Sequence, residues 1–397
     1  MKQVNFILLT LFLWTINFFG QSTNSNTVDK PEKQISFARE NKPHAYYVKQ
    51  AELWWNEIKK DSTSENNWFN YYRACRSAQG TYDWKEDFVK ESPVLRLGGD
   101  IVKLMEKNIP NTFTYYYVAG STGGVDPLAG KYLLKAYGIN PDFEGIQSNV
   151  VTYAQSVSDI ALRKSVNKEW YKKNELSPGL LAYGYNVLMS LDPNSVLLTQ
   201  HDNDSYPVWM LQDALGIRTD VLVINIDFLI LDSYREKVFK DLSITPIDLR
   251  TKSINDYGLN WKTIVHHILT NYKNIRPLFL GLTLFPELYE DFSKKLFVSG
   301  LTLKYSDKPL NQVAKNKELF ENLFLLDYLK IGFTNDISQS NVNIQNLNYF
   351  KSFKIVYDYY KSNKMVDNAK KIRELSLLIA SKADDHKLID KTKSDFK

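Results

Sequence analysis

The sequence predicts a small α/β domain, with a parallel or mixed sheet of four strands, flanked by helical hairpins of the tetratricopeptide type. Two observations lead to this fold class. In the first and last parts of the chain, aromatic and aliphatic residues recur at three- and four-residue spacing, as they do on amphipathic helices. In the middle, continuous apolar runs of strand length alternate with a helical stretch, which is typical of a buried parallel sheet.

The chain opens with a pattern typical of a secretory signal peptide, predicted at residues 1–20. Lys2 precedes an apolar run over residues 6–19, and Gly20 offers a small residue at the exit. The run is shorter than the roughly 20 residues that a transmembrane helix needs, so cleavage near Gly20 and a periplasmic location are expected. A retained anchor is the alternative, because Phe18 is bulky for a position so close to the cut.

The composition indicates a globular core and argues against one class of partner. Of 397 residues, 44% are apolar and 14% are aromatic, which is enough for a core held together by packing alone. Cys75 is the only cysteine, so an internal disulfide is excluded. The 50 basic and 45 acidic residues are spread along the chain without a long basic block, which argues against nucleic acid as a partner.

Helices are predicted over residues 43–176, after a polar and poorly ordered lead-in at residues 21–42. The first helix is expected to begin near His44, since apolar residues then follow at helical spacing. The segment 126–141 matches the second helix of a tetratricopeptide repeat, in which small residues let two helices approach and a proline ends the second. The residues that fit this pattern are Ala129, Leu133, Ala136 and Pro141.

Residues 311–397 show the same layout and predict helical hairpins at the C-terminal end. These repeats are degenerate, so generic helical hairpins remain the alternative to tetratricopeptide repeats. Either form offers a surface rich in aromatic residues, of the kind that binds a protein partner. The residues at helical spacing are Tyr357, Tyr360, Ala369, Ile372 and Ala380.

The α/β domain is predicted over residues 177–310. A strand at 195–200 is followed by a polar turn at 201–205, a helix at 206–215 and a second apolar strand at 221–226. Strands that are apolar on both faces belong in a sheet covered on both sides. Two more strands are predicted at 277–283 and 301–305, with a helix over 286–297 between them.

Polar residues follow two of the predicted strands, at the edge where an open α/β sheet usually binds its ligand. Carboxylates with a histidine and an asparagine could bind sugar hydroxyls, or hold a divalent cation such as calcium at Asp202, Asp204 and Asp227. The alternative is structural: Asp204 or Ser205 would cap the following helix, and Trp209 would belong to the core. The candidate ligand-binding residues are His201, Asp202, Asn203, Asp204, Ser205, Trp209, Asn225 and Asp227.

Residues 191–226 resemble part of a known family. Their motifs are Asp-Asn-Asp-Ser after a strand, Tyr-Pro-x-Trp at a helix start, and Gly-Ile-Arg-x-Asp-Val before the next strand. They resemble the soluble C-terminal module of bacterial multi-pass membrane proteins that look like protein O-mannosyltransferases and are grouped with glycosyltransferases. Weaker similarity at residues 276–280 and 300–305 extends the resemblance to a third of the chain.

The resemblance implies an export-side location and a soluble module, without implying glycosyl transfer. Catalysis in that family is assigned to acidic residues in loops between membrane helices, and no counterpart of that membrane part is found in this sequence. No catalytic residue is therefore assigned.

The sequence thus predicts an exported periplasmic binding or assembly protein, a subunit or accessory factor of a cell-envelope complex with protein partners. The alternative is an enzyme or binding protein that acts on glycans or glycan precursors at residues 201–205. A shared open crevice for Asp202, Asp204 and Asp227 would favour this alternative, whereas carboxylates that point apart or into caps would favour the scaffold.

Overall fold

The structure is a computed structural model, and the predicted signal peptide at residues 1–20 lies outside the part of the chain that it describes. It describes residues 30–397 with the exception of 38, 123–126, 250–256, 274–275, 333–334 and 384.

Helices that pack in pairs precede the sheet, which confirms the predicted hairpins. α1 packs against α2, α4 against α5, and α6 against α7. Close approach within a pair depends on small residues, as predicted: Gly120 lies so near Leu133 that a Cβ atom would clash with it. In chain order the helices are α1 (His44–Lys60), α2 (Glu65–Gly80), α3 (Gly98–Asn108), α4 (Phe113–Thr122), α5 (Pro127–Ile139), α6 (Ile146–Ser156), α7 (Ile160–Lys172) and α8 (Pro178–Met189).

The described part of the lead-in, residues 30–42, is packed and differs from the poorly ordered segment that was predicted. The backbone N–H of Gln34 donates to Oδ1 of Asn70 at 2.7 Å, and Nε1 of Trp54 donates to the carbonyl of Glu32 at 2.9 Å. A polar segment is held here because its backbone groups find partners on α1 and α2. Composition does not reveal such long-range contacts.

A five-stranded mixed sheet follows, in the order β2-β1-β3-β5-β4. β1 pairs in parallel with β2 and β3, whereas β5 runs antiparallel to both β3 and β4. The side chains of β1 are fully covered, as the apolar pattern predicted. The strands are β1 (Val196–Thr199), β2 (Leu222–Asn225), β3 (Leu278–Gly281), β4 (Leu296–Ser299) and β5 (Thr302–Tyr305).

The crossover helices lie on the faces of the sheet, as parallel strands require. α9 (Asp202–Leu215) connects β1 to β2, and Gly216 ends it at a φ of 70°. Two further helices, α10 (Asp232–Asp241) and α11 (Tyr257–Asn271), lie between β2 and β3 in the chain.

The predicted helix over residues 286–297 is wrong, and a fifth strand was missed. Two short 3₁₀ helices, Pro286–Leu288 and Glu290–Lys295, occupy most of that segment, and β4 follows them. Gly300, at a φ of 58°, makes a tight turn that pairs β4 with β5. Pairing in this hairpin overrides the local helical pattern, because a positive φ at glycine suits a short connection between antiparallel strands.

The C-terminal helices pack back onto α8. Nδ2 of Asn186 on α8 donates to the carbonyl of Leu325 at 2.8 Å and to the hydroxyl of Tyr349 at 2.6 Å. The predicted hairpin is confirmed, since α15 packs against α16. The helices are α12 (Val313–Glu318), α13 (Asp327–Lys330), α14 (Gln339–Gln345), α15 (Tyr349–Ser362), α16 (Val366–Lys382) and α17 (His386–Asp395).

A buried ion pair joins the N-terminal helices to the sheet region. Arg163 on α7 donates to both carboxylate oxygens of Asp213 on α9, at 2.9 and 3.0 Å. Asn167 also donates to Asp213 at 2.8 Å, and Arg163 donates to Oε1 of Gln155 at 2.6 Å. One hydrophobic cluster extends from α1 to Phe396. The predicted domain limits at residues 43–176, 177–310 and 311–397 stay a prediction.

Over the described ranges, no helix combines the length and apolar character that crossing a membrane requires.

Candidate functional site

The carboxyl ends of β1, β2 and β3 meet at one edge of the sheet, and most of the candidate residues lie there. α9 leads from β1 to β2 on one side of β1, whereas β3 lies on its other side. Such a change of direction opens a crevice between the two strands, which is where open α/β sheets bind their ligands. The sequence correctly predicted that the ends of the first two strands share an edge.

His201 joins β1 to α9 in a backbone conformation that residues other than glycine rarely adopt. Its φ is 64° and its ψ is 178°, in a region that is strained for a residue with a side chain. The predicted polar turn at residues 201–205 is therefore only this junction and the first turn of α9. His201 stands at the N-cap position, so the prediction that Asp204 or Ser205 caps the helix is wrong.

His201 and Asp227 form a close pair across the ends of β1 and β2. Nδ1 of His201 lies 3.2 Å from Oδ2 of Asp227, and the same oxygen accepts the backbone N–H of His201 at 2.8 Å. Desolvation acts to lower the pKa of His201. The hydrogen bond and charge of Asp227, helped by the neighbouring aspartates, outweigh desolvation and raise the pKa overall.

Two aromatic rings flank the imidazole of His201. The ring of Trp261 on α11 lies 5.9 Å from it and that of Phe285, beyond β3, lies 5.4 Å from it, both edge to face. The His201 side chain is 50% exposed and Phe285 is 42% exposed. The imidazole is thus held from both sides and still open to a ligand.

Asp202 lines the same crevice. Solvent reaches its side chain, but burial raises its pKa, and the charge of Asp227 adds to this effect. The hydroxyl of Tyr206 and the charge of His201 act in the opposite direction. Asp202 is thus an exposed carboxylate that stands next to His201, at the start of α9.

Arg76, on α2, brings the N-terminal helices to this crevice. Its charge lowers the pKa of Asp202, although the two residues are far apart in the sequence. Arg76 is exposed, and its guanidinium lies 5.2 Å from the ring centre of Trp84. The charge of Arg76 therefore acts on an acidic residue of the α/β region from the N-terminal helices.

Asp204 is turned toward β3 and the C-terminal helices. Its Oδ2 accepts hydrogen bonds from the hydroxyl of Thr283 and, at 3.3 Å, from the backbone N–H of Gln200. Gln345 on α14 lies 3.5 Å from the other oxygen. Desolvation raises the pKa of Asp204 to about 7, against the effect of these donors. Asp204 thus links three segments, and much of its carboxyl is protonated near neutral pH.

Ser205 and Asn225 form a buried network beneath the crevice. The hydroxyl groups of Ser205 and Thr199 lie 2.7 Å apart, and Nδ2 of Asn225 donates to Oγ of Ser205 at 3.0 Å. Oδ1 of Asn225 accepts the backbone N–H of Asp227 at 2.7 Å. These side chains hold the two strand ends in register and lie below the surface that a ligand would touch.

Trp209 belongs to the core. It is fully buried, stacks on Phe228 at a centroid distance of 6.1 Å and lies under the guanidinium of Arg163. The prediction that it could stack on a ligand is wrong, because position 209 faces the helices behind the sheet. Asn203 stands half-buried in the first turn of α9.

The three aspartates do not form the predicted cation site as a set. Within the described ranges, no group of three or more His, Cys, Asp or Glu side chains is placed to hold a metal ion. Asp227 is engaged with His201, and Asp204 is engaged with Thr283 and Gln200. The three carboxylates therefore lie at one crevice, but they do not converge on a common point at which a cation could bind.

Sequence reasoning missed four residues of the site. Thr283 ends a predicted strand and Phe285 follows it closely, so the rule that pointed to residues 201–205 could have found them. Arg76 and Trp261 carry no such signal, because they lie on helices that are far from residues 201–205 in the sequence.

Comparison with known proteins gives one partial match. A family model described as TMEM260-associated domain 2 matches residues 180–274, less than half of the chain. The matched segment runs from α8 to the end of α11 and contains His201, Asp202, Asp227 and Trp261. A comparison of the whole chain with curated proteins found no match.

Proposed function

We propose that this chain is an exported binding protein of the cell envelope whose crevice takes a polyhydroxylated, glycan-type ligand. The observation behind this proposal is that His201, Asp202 and Asp227 lie at one edge of the sheet, with the imidazole of His201 between the rings of Trp261 and Phe285. Of the two functions expected from the sequence, an assembly factor and a protein that acts on glycans at residues 201–205, this geometry favours the second.

Sugars fit such a crevice for two physical reasons. Carboxylates accept hydrogen bonds from hydroxyl groups, and these bonds are stronger than those between neutral groups. Exposed aromatic rings such as Phe285 offer an apolar surface to the C–H face of a sugar ring. Ligand sites commonly combine an apolar surface with a few polar groups that set orientation.

Two sequence features support the envelope location and the glycan. The apolar run over residues 6–19 has the length of a signal peptide. Residues 191–226 resemble the soluble module of bacterial O-mannosyltransferase-like membrane proteins, and the match to TMEM260-associated domain 2 covers the same segment. The resemblance and the family match both concern the α/β region, and the link to glycans is an analogy at the level of the module.

Saturation-transfer NMR on the mature chain tests the proposal, with glucose, galactose, mannose, N-acetylglucosamine and their disaccharides as probes. We expect at least one probe to bind, and Asp202→Asn and Phe285→Ala to weaken binding about ten-fold or more, as the loss of a charged hydrogen bond predicts. Asp358→Asn on α15 is the matched control and leaves binding unchanged. Binding by no probe, or equal binding by all variants, would contradict the proposal.

A second function, as a subunit or accessory factor of an envelope complex, has its own support. The segment between α12 and α15 exposes apolar side chains beside a cavity of about 320 Å³. Exposed apolar surface of this kind suits a protein partner. The exposed residues are Leu323, Leu325, Ile331, Ile337 and Ile344.

The test for this second function is co-purification of defined envelope proteins with the tagged mature chain. We expect the same proteins with wild type and with Asp202→Asn, and their loss with the double variant Ile331→Asp, Ile337→Asp. Retention of all partners by the double variant would contradict a role for this surface.

A further inference from the structure

The His201–Asp227 pair has the geometry of an acid–base dyad. Nδ1 of His201 faces Oδ2 of Asp227 at 3.2 Å, which fixes the ring and leaves Nε2 as the outward nitrogen. Nε2 makes no hydrogen bond to the described part of the chain, and the side chain is half exposed. A carboxylate that holds one nitrogen of an imidazole leaves the other available to take up and return a proton.

The backbone at His201 singles out the same residue. A φ of 64° with a ψ of 178° would suit glycine, yet the chain places a histidine there. Backbone strain of this kind concentrates at functional sites, where the surrounding structure holds a side chain in a demanding position. Strain and pairing are independent observations, and both concern a residue at the mouth of the crevice.

We propose that this crevice is hydrolytic, with His201 as the general base at Nε2, Asp227 as its positioning residue, and an acyl ester on the bound glycan as the substrate. This proposal rests on the proposed function, because the glycan must first occupy the crevice.

Water is the only co-reactant that this reaction needs. The water oxygen bonds to the acyl carbon while one of its protons moves to Nε2 of His201. The tetrahedral intermediate then breaks the bond between the acyl carbon and the sugar oxygen, and that oxygen takes the proton back from Nε2. The products are a carboxylic acid and a free sugar hydroxyl, and His201 returns to its neutral form.

An ester is favoured over a glycosidic bond by the state of the other carboxyl groups. Cleavage of a glycosidic bond normally requires two free carboxyl groups, one on each side of the bond. Asp204 is engaged by Thr283 and by the backbone of Gln200, and Asp227 holds His201, which leaves Asp202 as the one exposed carboxylate of the three. Ester hydrolysis needs one base that returns the proton, which His201 alone provides.

The cation assigned to the developing oxyanion is Arg76, whose charge acts on Asp202, the neighbour of His201 in the chain. It is exposed, acts on Asp202 and makes no hydrogen bond or ion pair with the described ranges of the chain. An oxyanion formed in a crevice is stabilised by cations that are already oriented there. The guanidinium is oriented by its position 5.2 Å from the ring centre of Trp84.

The test is acetate release from glucose pentaacetate by the mature chain, followed by proton NMR across the pH range from 5 to 9. Wild type is expected to release acetate catalytically, and His201→Gln to lose about 100-fold or more of the rate, as removal of a general base does. His44→Gln is the matched control, since His44 lies on α1 outside the crevice, and it keeps the wild-type rate.

The pH profile separates positioning by Asp227 from a merely structural role. The neutral imidazole is the active form, so the wild-type rate rises with pH through the pKa of His201, which Asp227 raises. Asp227→Asn removes this effect, so the midpoint moves to lower pH, and the plateau falls because the ring is no longer held by a charge. An unchanged midpoint in Asp227→Asn would overturn the assignment.

Two controls separate a loss of hydrolysis from misfolding of the variant and from a failure of the binding proposal. If His201→Gln unfolds, His201→Gly replaces it, because glycine suits the backbone at this position. Equal acetate release by wild type and the His201 variants overturns the hydrolytic proposal. If saccharides still bind to wild type in that case, the binding function stands, whereas the absence of both binding and turnover overturns the two together.

Discussion

The two ends of α9, an inner end at Asp213 and an outer end at His201, differ in how their charged groups are paired. At the inner end, Asp213 forms a bidentate pair with Arg163 and accepts a further hydrogen bond from Asn167, while Trp209 packs under the same guanidinium. At the outer end, His201 has a strained backbone, and the pKa of Asp204 is raised by desolvation. The inner end pairs its buried carboxylate with a charged partner, whereas the outer end keeps a strained backbone and a desolvated carboxyl group.

This contrast separates the part of the helix that stabilises the fold from the part that is open to a ligand. Folded chains usually satisfy local preferences together, and violations concentrate where function needs them. Both ends belong to one rigid helix, so the anchored inner end can hold the strained outer end in place. Substitutions at the two ends should therefore have opposite effects on stability, and measuring those effects tests whether the two ends differ as described.

The largest effect is expected at the inner end. Arg163→Met leaves the carboxylate of Asp213 buried without its charged partner and lowers the free energy of unfolding by about 3–5 kcal/mol. Urea denaturation followed by circular dichroism measures this loss. The double variant Arg163→Met, Asp213→Leu should recover most of it, because both buried charges are gone. A loss below about 1 kcal/mol, as for a surface pair, would show that the inner end is not an anchor.

The next effect lies at the outer end and has the opposite sign. The folded pKa of Asp204 is about 7 against an ordinary value of 3.8, so the folded chain binds this proton more tightly than the unfolded chain. The free energy of unfolding therefore falls as pH rises from about 4 to about 7, by about 1.4 kcal/mol for each pH unit at most. Above that window, the ionised carboxyl makes a constant unfavourable contribution.

Asp204→Asn removes this titration and keeps an acceptor for Thr283. The variant should resemble wild type in stability at pH 4 and exceed it by about 2 kcal/mol or more at pH 7. Urea denaturation at the two pH values measures the difference, with Asp358→Asn as the control for an exposed carboxyl. An identical pH dependence in Asp204→Asn and wild type would contradict the assignment of this titration to Asp204.

Backbone strain at His201 is isolated by comparing two substitutions at one position. His201→Ala and His201→Gly both lose the imidazole and its contact with Asp227, but only glycine adopts a φ of 64° with a ψ of 178° freely. The glycine variant should therefore be more stable than the alanine variant by about 1–2 kcal/mol. Thermal unfolding compares the two variants, and equal stability would show that the backbone at position 201 is not strained.

Much of the fold could be predicted from the sequence, because it depends on local patterns. The start of α1 at His44 and the burial of Ala129, Leu133 and Ala136 on α5 follow from apolar spacing alone. The errors have a common cause in contacts between distant residues. β4 forms because the turn at Gly300 pairs it with β5, and residues 30–42 are held by α1 and α2.

The candidate site was predicted in part. The rule that ligands bind at the carboxyl ends of parallel strands placed His201, Asp202 and Asp227 correctly at one edge. The rule alone could not tell that Trp209 belongs to the core and not to the site, because the burial of a residue on α9 depends on how that helix packs. Arg76 was out of reach because no local pattern connects α2 with the end of β1.

The smallest effect should fall between the two ends, in the buried network of Ser205. Ser205→Ala leaves Nδ2 of Asn225 and the hydroxyl of Thr199 without a shared partner and lowers the free energy of unfolding by about 1 kcal/mol. The same variant should keep the raised pKa of His201, because Asp227 remains in place. NMR titration of the imidazole protons measures that pKa beside the denaturation curve. If Ser205→Ala lowers the pKa of His201 as far as Asp227→Asn does, the buried network positions the dyad, and the functional end of α9 extends below the crevice surface.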